Sequence, residues 1–155
     1  MPRIATAERV ERDALLAFLR TRHRAVLLTR RGSGRLQLSP VTCGLDAEGR
    51  VVVSTYPQRA KTANARRDPD VSLCVLSDDW DGPYVQLDGQ AEVLDLPEAL
   101  EPLVEYYRSI SGEHPDWAEY REAMARQGKS LLRITVTTWG PIATGGFPPS
   151  ITDKA

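Results

Sequence analysis

Six side chains able to hold an anion are crowded between Arg59 and Arg67: Arg59, Lys61, Thr62, Asn64, Arg66 and Arg67, with no acidic residue before Asp68. They lie in S-T-Y-P-Q-R-A-K-T-A-N-A-R-R-D-P, Ser54 to Pro69, directly after the apolar run Val51–Val52–Val53. Pro57 is placed to fix φ in the first turn of a helix. Asp68-Pro69 closes that helix, because a residue before proline is pushed out of the α region. A helix start carries unpaired N–H groups and a partial positive charge. Arg59, Lys61 and Thr62 added there make an anion site, with phosphate as its natural occupant. On an ideal helix Arg59 and Lys61 point about 200° apart. One phosphate therefore meets both only at the helix end, with the long side chains wrapping toward it. A solvated basic helix at a sheet edge fits the same spacing, and the spacing alone leaves both readings open.

Other chemistries find less support. The two histidines, His23 before an apolar run and His114 in Gly112–Glu113–His114–Pro115–Asp116, read as a surface or hydrogen-bonded residue and a loop residue. Cys43 and Cys74 lack CxxC spacing and read as buried free thiols, so no metal site is expected. Ser39 has no nucleophile elbow and no evident His–Asp partnership. Asp78, Asp79 and Asp81 lack the glycine and distal glutamate of a calcium loop. Gly32 and Gly34 belong to a turn, not to a phosphate cradle, because no helix follows them.

The bulk numbers confine any basic site to a local patch. The chain has 155 residues, 20 Lys and Arg against 21 Asp and Glu, and a net charge of −1. That balance gives no general attraction to nucleic acid or an anionic membrane, and neither is expected as a partner. No apolar run reaches the roughly 20 residues of a membrane span. The charged start, Met1 to Glu11, has no apolar segment after it and is not a signal peptide, which points to the cytoplasm. One domain over 1–155 is expected, with a mobile tail from about 145. Arginine greatly outnumbers lysine, which makes Lys61 in the anion-like stretch more notable.

The elements that must position the basic stretch follow from periodicity. A helix is expected over Thr6–Arg20, with Val10, Leu15, Leu16, Phe18 and Leu19 as its apolar stripe. Strands follow at Arg24–Arg30 and Leu36–Leu45; Pro40 cannot donate to a ladder and puts the second at an edge or bulge. Asp46–Gly49 turns into a strand at Arg50–Thr55. After the basic helix come a strand at Val71–Ser77, a turn-rich loop at 78–83, and an alternating strand at Tyr84–Asp95. Gly89 in that strand suggests the bend a closing barrel requires. Helices at Pro97–Ser109 and Asp116–Arg126 precede a last strand at Leu131–Val136, which Trp139–Gly140–Pro141 ends. Trp117 and Tyr120 read as core or interface packing. No internal repeat or linker divides the chain. About six strands and four helices in this order predict a six-stranded antiparallel barrel with flanking helices, an α+β chain that is mainly β.

The order of these stretches resembles the flavin and deazaflavin oxidoreductases of the split β-barrel fold, the pyridoxamine 5′-phosphate oxidase-like superfamily. The likeness rests on G-R-L-Q-L-S-P-V, on S-T-Y-P-Q-R-A-K-T-A-N-A-R-R-D-P and on Y-V-Q-L-D-G-Q-A-E-V. A fourth stretch, Y-Y-R-S-I-S-G-E-H-P-D-W-A-E-Y-R-E-A-M, is most similar to the actinobacterial branch that uses coenzyme F420. The resemblance implies a homodimer with cofactors in grooves between subunits. It implies phosphate at Arg59 and Lys61, with Ala60, Thr62 and Asn64 beside them, and a planar ring along Gln37, Leu38, Ser39, Pro40 and Val41. Ser54 and Thr55 match the strand end under the ring; Trp80 and Tyr84 match positions that approach from the partner chain.

The activity implied is hydride transfer between reduced F420 and a small organic acceptor, the cofactor doing the chemistry while the protein binds, orients and excludes water. No side chain is marked as catalytic; Tyr84 is the candidate proton donor. An FMN-dependent oxidoreductase of the same fold is the alternative, and a non-catalytic flavin- or deazaflavin-binding protein is a further one. A basic groove continuing through Arg66 or Arg67 fits the longer tail of F420.

Overall fold

The structure is a computed structural model that describes residues 3–150. A short strand, β1 (Thr6–Glu8), leads into α1 (Arg12–Arg20). Strands β2 (Arg24–Arg30), β3 (Leu36–Leu45) and β4 (Val51–Thr55) follow, then α2 (Ala60–Arg67), β5 (Asp70–Leu76) and β6 (Val85–Leu94). Two helices, α3 (Leu100–Ser111) and α4 (Trp117–Gln127), precede β7 (Ser130–Trp139) and β8 (Ile142–Thr144). Six strands close an antiparallel barrel in the order β2-β3-β4-β7-β6-β5, and β1 pairs with β8 in a separate ribbon.

Alternation explains which residues fill the barrel. Ala25, Leu27 and Thr29 of β2, Val71, Leu73 and Val75 of β5, and Val85 and Leu87 of β6 are all buried, while their neighbours face outward. In β4 the run Val51–Val52–Val53 is buried throughout, because the strand is covered on both faces. Val51 and Val53 join the barrel core with Leu15, Phe18 and Leu19 of α1. Val52 joins a second cluster with Leu103, Val104 and Tyr120 of the α3–α4 hairpin. Continuous apolar runs of this kind mark strands buried on two sides.

Closure depends on Gly89. The β6–β7 register shifts between Asp88 and Gly89, and a Cβ on Gly89 would stand 2.4 Å from the Thr135 carbonyl oxygen and 2.9 Å from Ile134 Cγ2. The bend anticipated from the sequence is a bulge at the strand pair with the most extensive ladder.

Three expectations are corrected. The first helix does not start at Thr6: Thr6–Glu8 is β1, whose Thr6 hydroxyl meets Thr144 at 2.7 Å, and α1 begins at Arg12 after an N-cap Glu11 with no side-chain capping bond. The last barrel strand runs on to Trp139, since Thr135–Thr138 still pair with β6. Pro57 lies in the turn before α2, not in its first helical turn, and Arg59 is the N-cap. Within the tail expected to be mobile from about 145, the Phe147 carbonyl accepts from Ala5 N–H at 2.8 Å; residues 151–155 of that expectation lie outside the described residues.

Gly89→Ala is expected to destabilise the fold by about 3 kcal/mol, the upper range for overpacking, because backbone and not a flexible side chain is in the way. Urea unfolding reads this directly; an unchanged midpoint would show that the bulge yields.

Candidate functional site

The site begins with an incomplete ladder. All of β3 from Leu36 to Thr42 pairs with β2, but β3 meets β4 only through Cys43–Leu45 against Val51–Val53. The half of β3 holding Gln37, Leu38, Ser39, Pro40 and Val41 therefore has one backbone edge without a strand partner. Pro40 sits on that half, where a missing donor costs least. Gln37, Ser39 and Val41 turn to the less exposed side, and Leu38 and Pro40 to the exposed side. The Ser39 hydroxyl oxygen is buried and has no hydrogen-bond partner among the described residues. Such an atom costs free energy unless something polar meets it.

Beyond the opening, β4 ends at Thr55 and the chain turns through Tyr56–Arg59 into α2. A buried polar network holds that turn. Thr62 Oγ1 donates to the Tyr56 carbonyl at 2.7 Å and lies 3.1 Å from Thr55 Oγ1. Asn64 Nδ2 donates to Thr29 Oγ1 at 3.1 Å, and Thr29 Oγ1 donates to Gln37 Oε1 at 2.9 Å. Helix α2 is thereby fixed to β2, β3 and β4 by side chains that are buried (Thr29, Thr55, Thr62, Asn64) or half-buried (Gln37). The side chains of Thr55, Thr62 and Asn64, expected as cofactor contacts, are spent on this scaffold. Thr29 was not anticipated, although a threonine in the inward register of β2 was its signal.

Arg59 and Lys61 are left. Neither side chain has an ion pair or hydrogen bond with a described residue, and both stand where the first N–H groups of α2 lack helical partners. Burial, and then the charge of Arg59, lower the Lys61 pKa below its ordinary value. Ala60 between them is exposed. By contrast Arg66 grips both oxygens of Asp95 at 2.7 Å, and Arg67 donates to the Arg30 carbonyl at 2.8 Å and to Asn64 Oδ1 at 2.9 Å. The basic groove expected to continue through these two is tied down within the chain.

Ser54 lies where β3 and β4 part. Tyr106 of α3 reaches into this fork and donates to the Thr42 carbonyl at 3.0 Å. Burial raises the Tyr106 pKa, against opposing hydrogen bonds from Ser54. Gly44 lets α3 come so close, since a Cβ there would lie 2.3 Å from Ser109 Oγ. Trp80 and Tyr84 stand on another wall. Trp80 borders a cavity of about 530 Å³ together with Pro40, Val41 and Leu76, and a second of about 640 Å³ with Tyr84 and Phe147. Trp80 is thus brought to the open half of β3, but within one chain neither aromatic residue is brought to Arg59 and Lys61. His23 Nδ1 is bound to the Cys43 carbonyl at 2.9 Å, and His114 packs among Tyr107, Trp117 and Tyr120.

A base with a lowered folded pKa costs stability while it is charged; the cost is present at neutral pH and disappears as pH rises past its folded and then its unfolded value. An anion between Arg59 and Lys61 relieves that cost. Inorganic phosphate is expected to raise the melting temperature at pH 7 by mass action. Lys61→Met should keep or gain stability in phosphate-free buffer and lose the response; an equal response in the variant would place the anion elsewhere.

Comparison with known proteins agrees with this architecture. A conserved hypothetical protein of Mycobacterium tuberculosis is 22% identical over 88% of this chain and 89% of its own, with a TM-score of 0.72. An F420 reductase is 16% identical over 79% of this chain and 93% of its own, with a TM-score of 0.60. A heme-binding protein from Mycobacterium smegmatis is 19% identical over 84% of this chain and 53% of its own, with a TM-score of 0.63. These likenesses show the shared fold. The sequence family described as pyridoxamine 5′-phosphate oxidase matches residues 12–143, which takes in every barrel strand and α2. The chain therefore belongs to the pyridoxamine 5′-phosphate oxidase-like family of split β-barrel proteins, which includes oxidoreductases.

Proposed function

We propose that this chain is an F420-dependent oxidoreductase that transfers a hydride between the reduced deazaflavin and a small organic acceptor, working as a homodimer. The observation that carries the reading is the pair Arg59 and Lys61, two cations without a described carboxylate partner at a helix start, next to the open half of β3. The donor set fits the group: a phosphate for the two cations, and polar ring edges for the free backbone edge and the orphaned Ser39 hydroxyl. The preference for F420 over FMN rests on the resemblance of Tyr106–Met124 to the F420-using branch and is supported by the F420 reductase of the same fold.

The bound cofactor supplies the hydride, and the residues of the chain do the rest. Arg59 and Lys61 hold the phosphate; Thr29, Gln37, Thr55, Thr62 and Asn64 keep α2 and β3 at a fixed separation. The free edge of β3 would orient the ring against Gln37–Val41, with Ser54 and the backbone of Thr55 at the strand end. Tyr84 is the proposed proton donor, approaching with Trp80 from the second subunit.

The outer face of the barrel supports the homodimer. Cross-strand rows Leu38–Leu28–Ser72 and Pro40–Val26–Cys74 run over β3, β2 and β5, flanked by Leu36 and Leu76. Leu38 is 59% and Trp80 84% exposed, and Trp80 borders Pro40 and Val41 of the same strand. A second copy covering this face buries both and carries its own Trp80 and Tyr84 toward the open half of β3. Leu38→Glu is expected to convert a dimer to a monomer in sedimentation velocity. A wild-type monomer would sink the arrangement.

Fluorescence titration of cofactor-free protein tests the cofactor. F420 is expected to bind tightly and FMN weakly; the reverse preference moves the protein to flavin chemistry. Arg59→Ala combined with Lys61→Ala should weaken binding roughly a hundredfold or more with the fold intact, since charge-assisted bonds are lost while no internal hydrogen bond or ion pair of either side chain is broken.

A further inference from the structure

Two of the three lysines of this chain meet at one segment, Ser54–Lys61: Lys61 ends it, and the distant Lys129 reaches Ser54 and Tyr56. Lys129 follows α4, whose end is capped by Gly128 in the left-handed region and by the Lys129 N–H on the Met124 carbonyl at 3.3 Å. A cation is welcome at a helix C-terminus, and that alone explains many such lysines. Here, however, the side chain leaves α4. Its Nζ stands 4.1 Å over the Tyr56 ring and 3.4 Å from Ser54 Oγ. It has no carboxylate partner among the described residues. An ammonium carries three donors, and this one has one long hydrogen bond and one aromatic face. It is also half-buried, so solvent does not serve it fully.

We propose that Lys129 is the cation at the ring end of the cofactor site, the counterpart of Arg59 and Lys61 at the phosphate end. This rests on the cofactor reading above, in which the ring lies over Ser54. Both Lys129 and Tyr106 converge on Ser54, where the β3–β4 ladder opens, so the fork presents an ammonium and a phenol hydroxyl to whatever polar ring edge lies there. An anionic or strongly polarised ring oxygen or nitrogen supplies the acceptor that the ammonium lacks in the chain. The aromatic face of Tyr56 holds Nζ in place without neutralising it. Lys129 therefore favours ring states that carry negative charge, whereas Arg59 and Lys61 are indifferent to the ring.

The test compares each cofactor with its phosphate-free core on the whole purified chain: F420 with 8-hydroxy-5-deazariboflavin, and FMN with riboflavin. Lys129→Gln should weaken the preferred cofactor and its core by the same factor, roughly tenfold or more, and Lys129→Arg should recover most of it. Lys61→Gln should weaken the phosphorylated form and leave the core unchanged. The proposal is overturned if Lys129→Gln weakens only the phosphorylated form, which would assign Lys129 to the phosphate. It is overturned equally if both ligands bind normally while the melting temperature falls, the signature of a helix-terminus role. If the wild-type chain binds none of the four, the cofactor reading itself has failed and Lys129 falls with it.

Discussion

The open half of β3 is the constraint on which the rest of this structure depends. A barrel strand ordinarily bonds on two sides, whereas β3 pairs with β2 over Leu36–Thr42 and with β4 only over Cys43–Leu45. From Leu36 to Thr42 one row of backbone groups has no strand to meet, a liability in a free edge. Three features manage it. Pro40 removes a donor from the open half. Tyr106 donates to the Thr42 carbonyl at the point where the ladder stops. The turn Tyr56–Arg59 swings α2 in beside β2 and β3, where a continued β4 would have run. The opening is thus maintained by specific residues, and a maintained opening in a closed barrel is a place to bind something flat.

Keeping α2 there requires polar groups in the interior. Thr29 and Thr62 are wholly buried, and Asn64 nearly so. Each hydrogen bond among them contributes only about 1 kcal/mol net, but an unmet partner costs as much or more. The value of such a network lies in geometry: Thr29 sits between Asn64 of α2 and Gln37 of β3, so the helix cannot shift without breaking bonds on both sides. The distance from the helix start to the open edge is therefore set by the fold before any ligand arrives. That is what a protein contributes when the cofactor carries the chemistry.

Much of this was legible in the sequence, and the boundary between what was and was not is physical. Strand alternation in Arg24–Arg30 and Val71–Ser77, the triple valine of β4, and Gly89 were enough to expect a closed antiparallel barrel. Pro40 marked the strand with the incomplete ladder. The basic stretch marked, by local composition, the helix start where Arg59 and Lys61 lack carboxylate partners among the described residues. Thr6–Glu8 was misread because its partner, β8, is more than 130 residues away and three residues carry little periodicity. Thr55, Thr62 and Asn64 carry side chains that bond within the fold, which the sequence does not reveal, because polar residues near a helix start look the same whether they face in or out. Lys129 and Tyr106 were invisible, since nothing local in Arg126–Ser130 or in the amphipathic α3 indicates that their tips meet at Ser54.

The net charge of −1 conceals how the site acquires its field. Six carboxylates are committed elsewhere: Asp46 and Glu48 to Arg50, Glu92 to Arg133, Asp95 to Arg66, Glu101 to Arg121, Glu113 to Arg108. Most of these pairs are exposed and contribute little to stability. Their distribution matters more. Arg66, one turn beyond Thr62, is neutralised by Asp95, which also receives the Ser130 hydroxyl at 2.6 Å and is held below the usual carboxylate range, first by that bond and then by Arg66. Arg59 and Lys61 receive no such partner. At the helix start an approaching anion thus meets two cations with free donors, whereas at the helix end Arg66 is paired with Asp95 and Arg67 has donors committed to Arg30 and Asn64, so the open donors lie at the end where the helix N–H groups are also unpaired. A chain with no overall attraction for anions can in this way bind one strongly, because selectivity comes from where the carboxylates are withheld and not from how many cations are present.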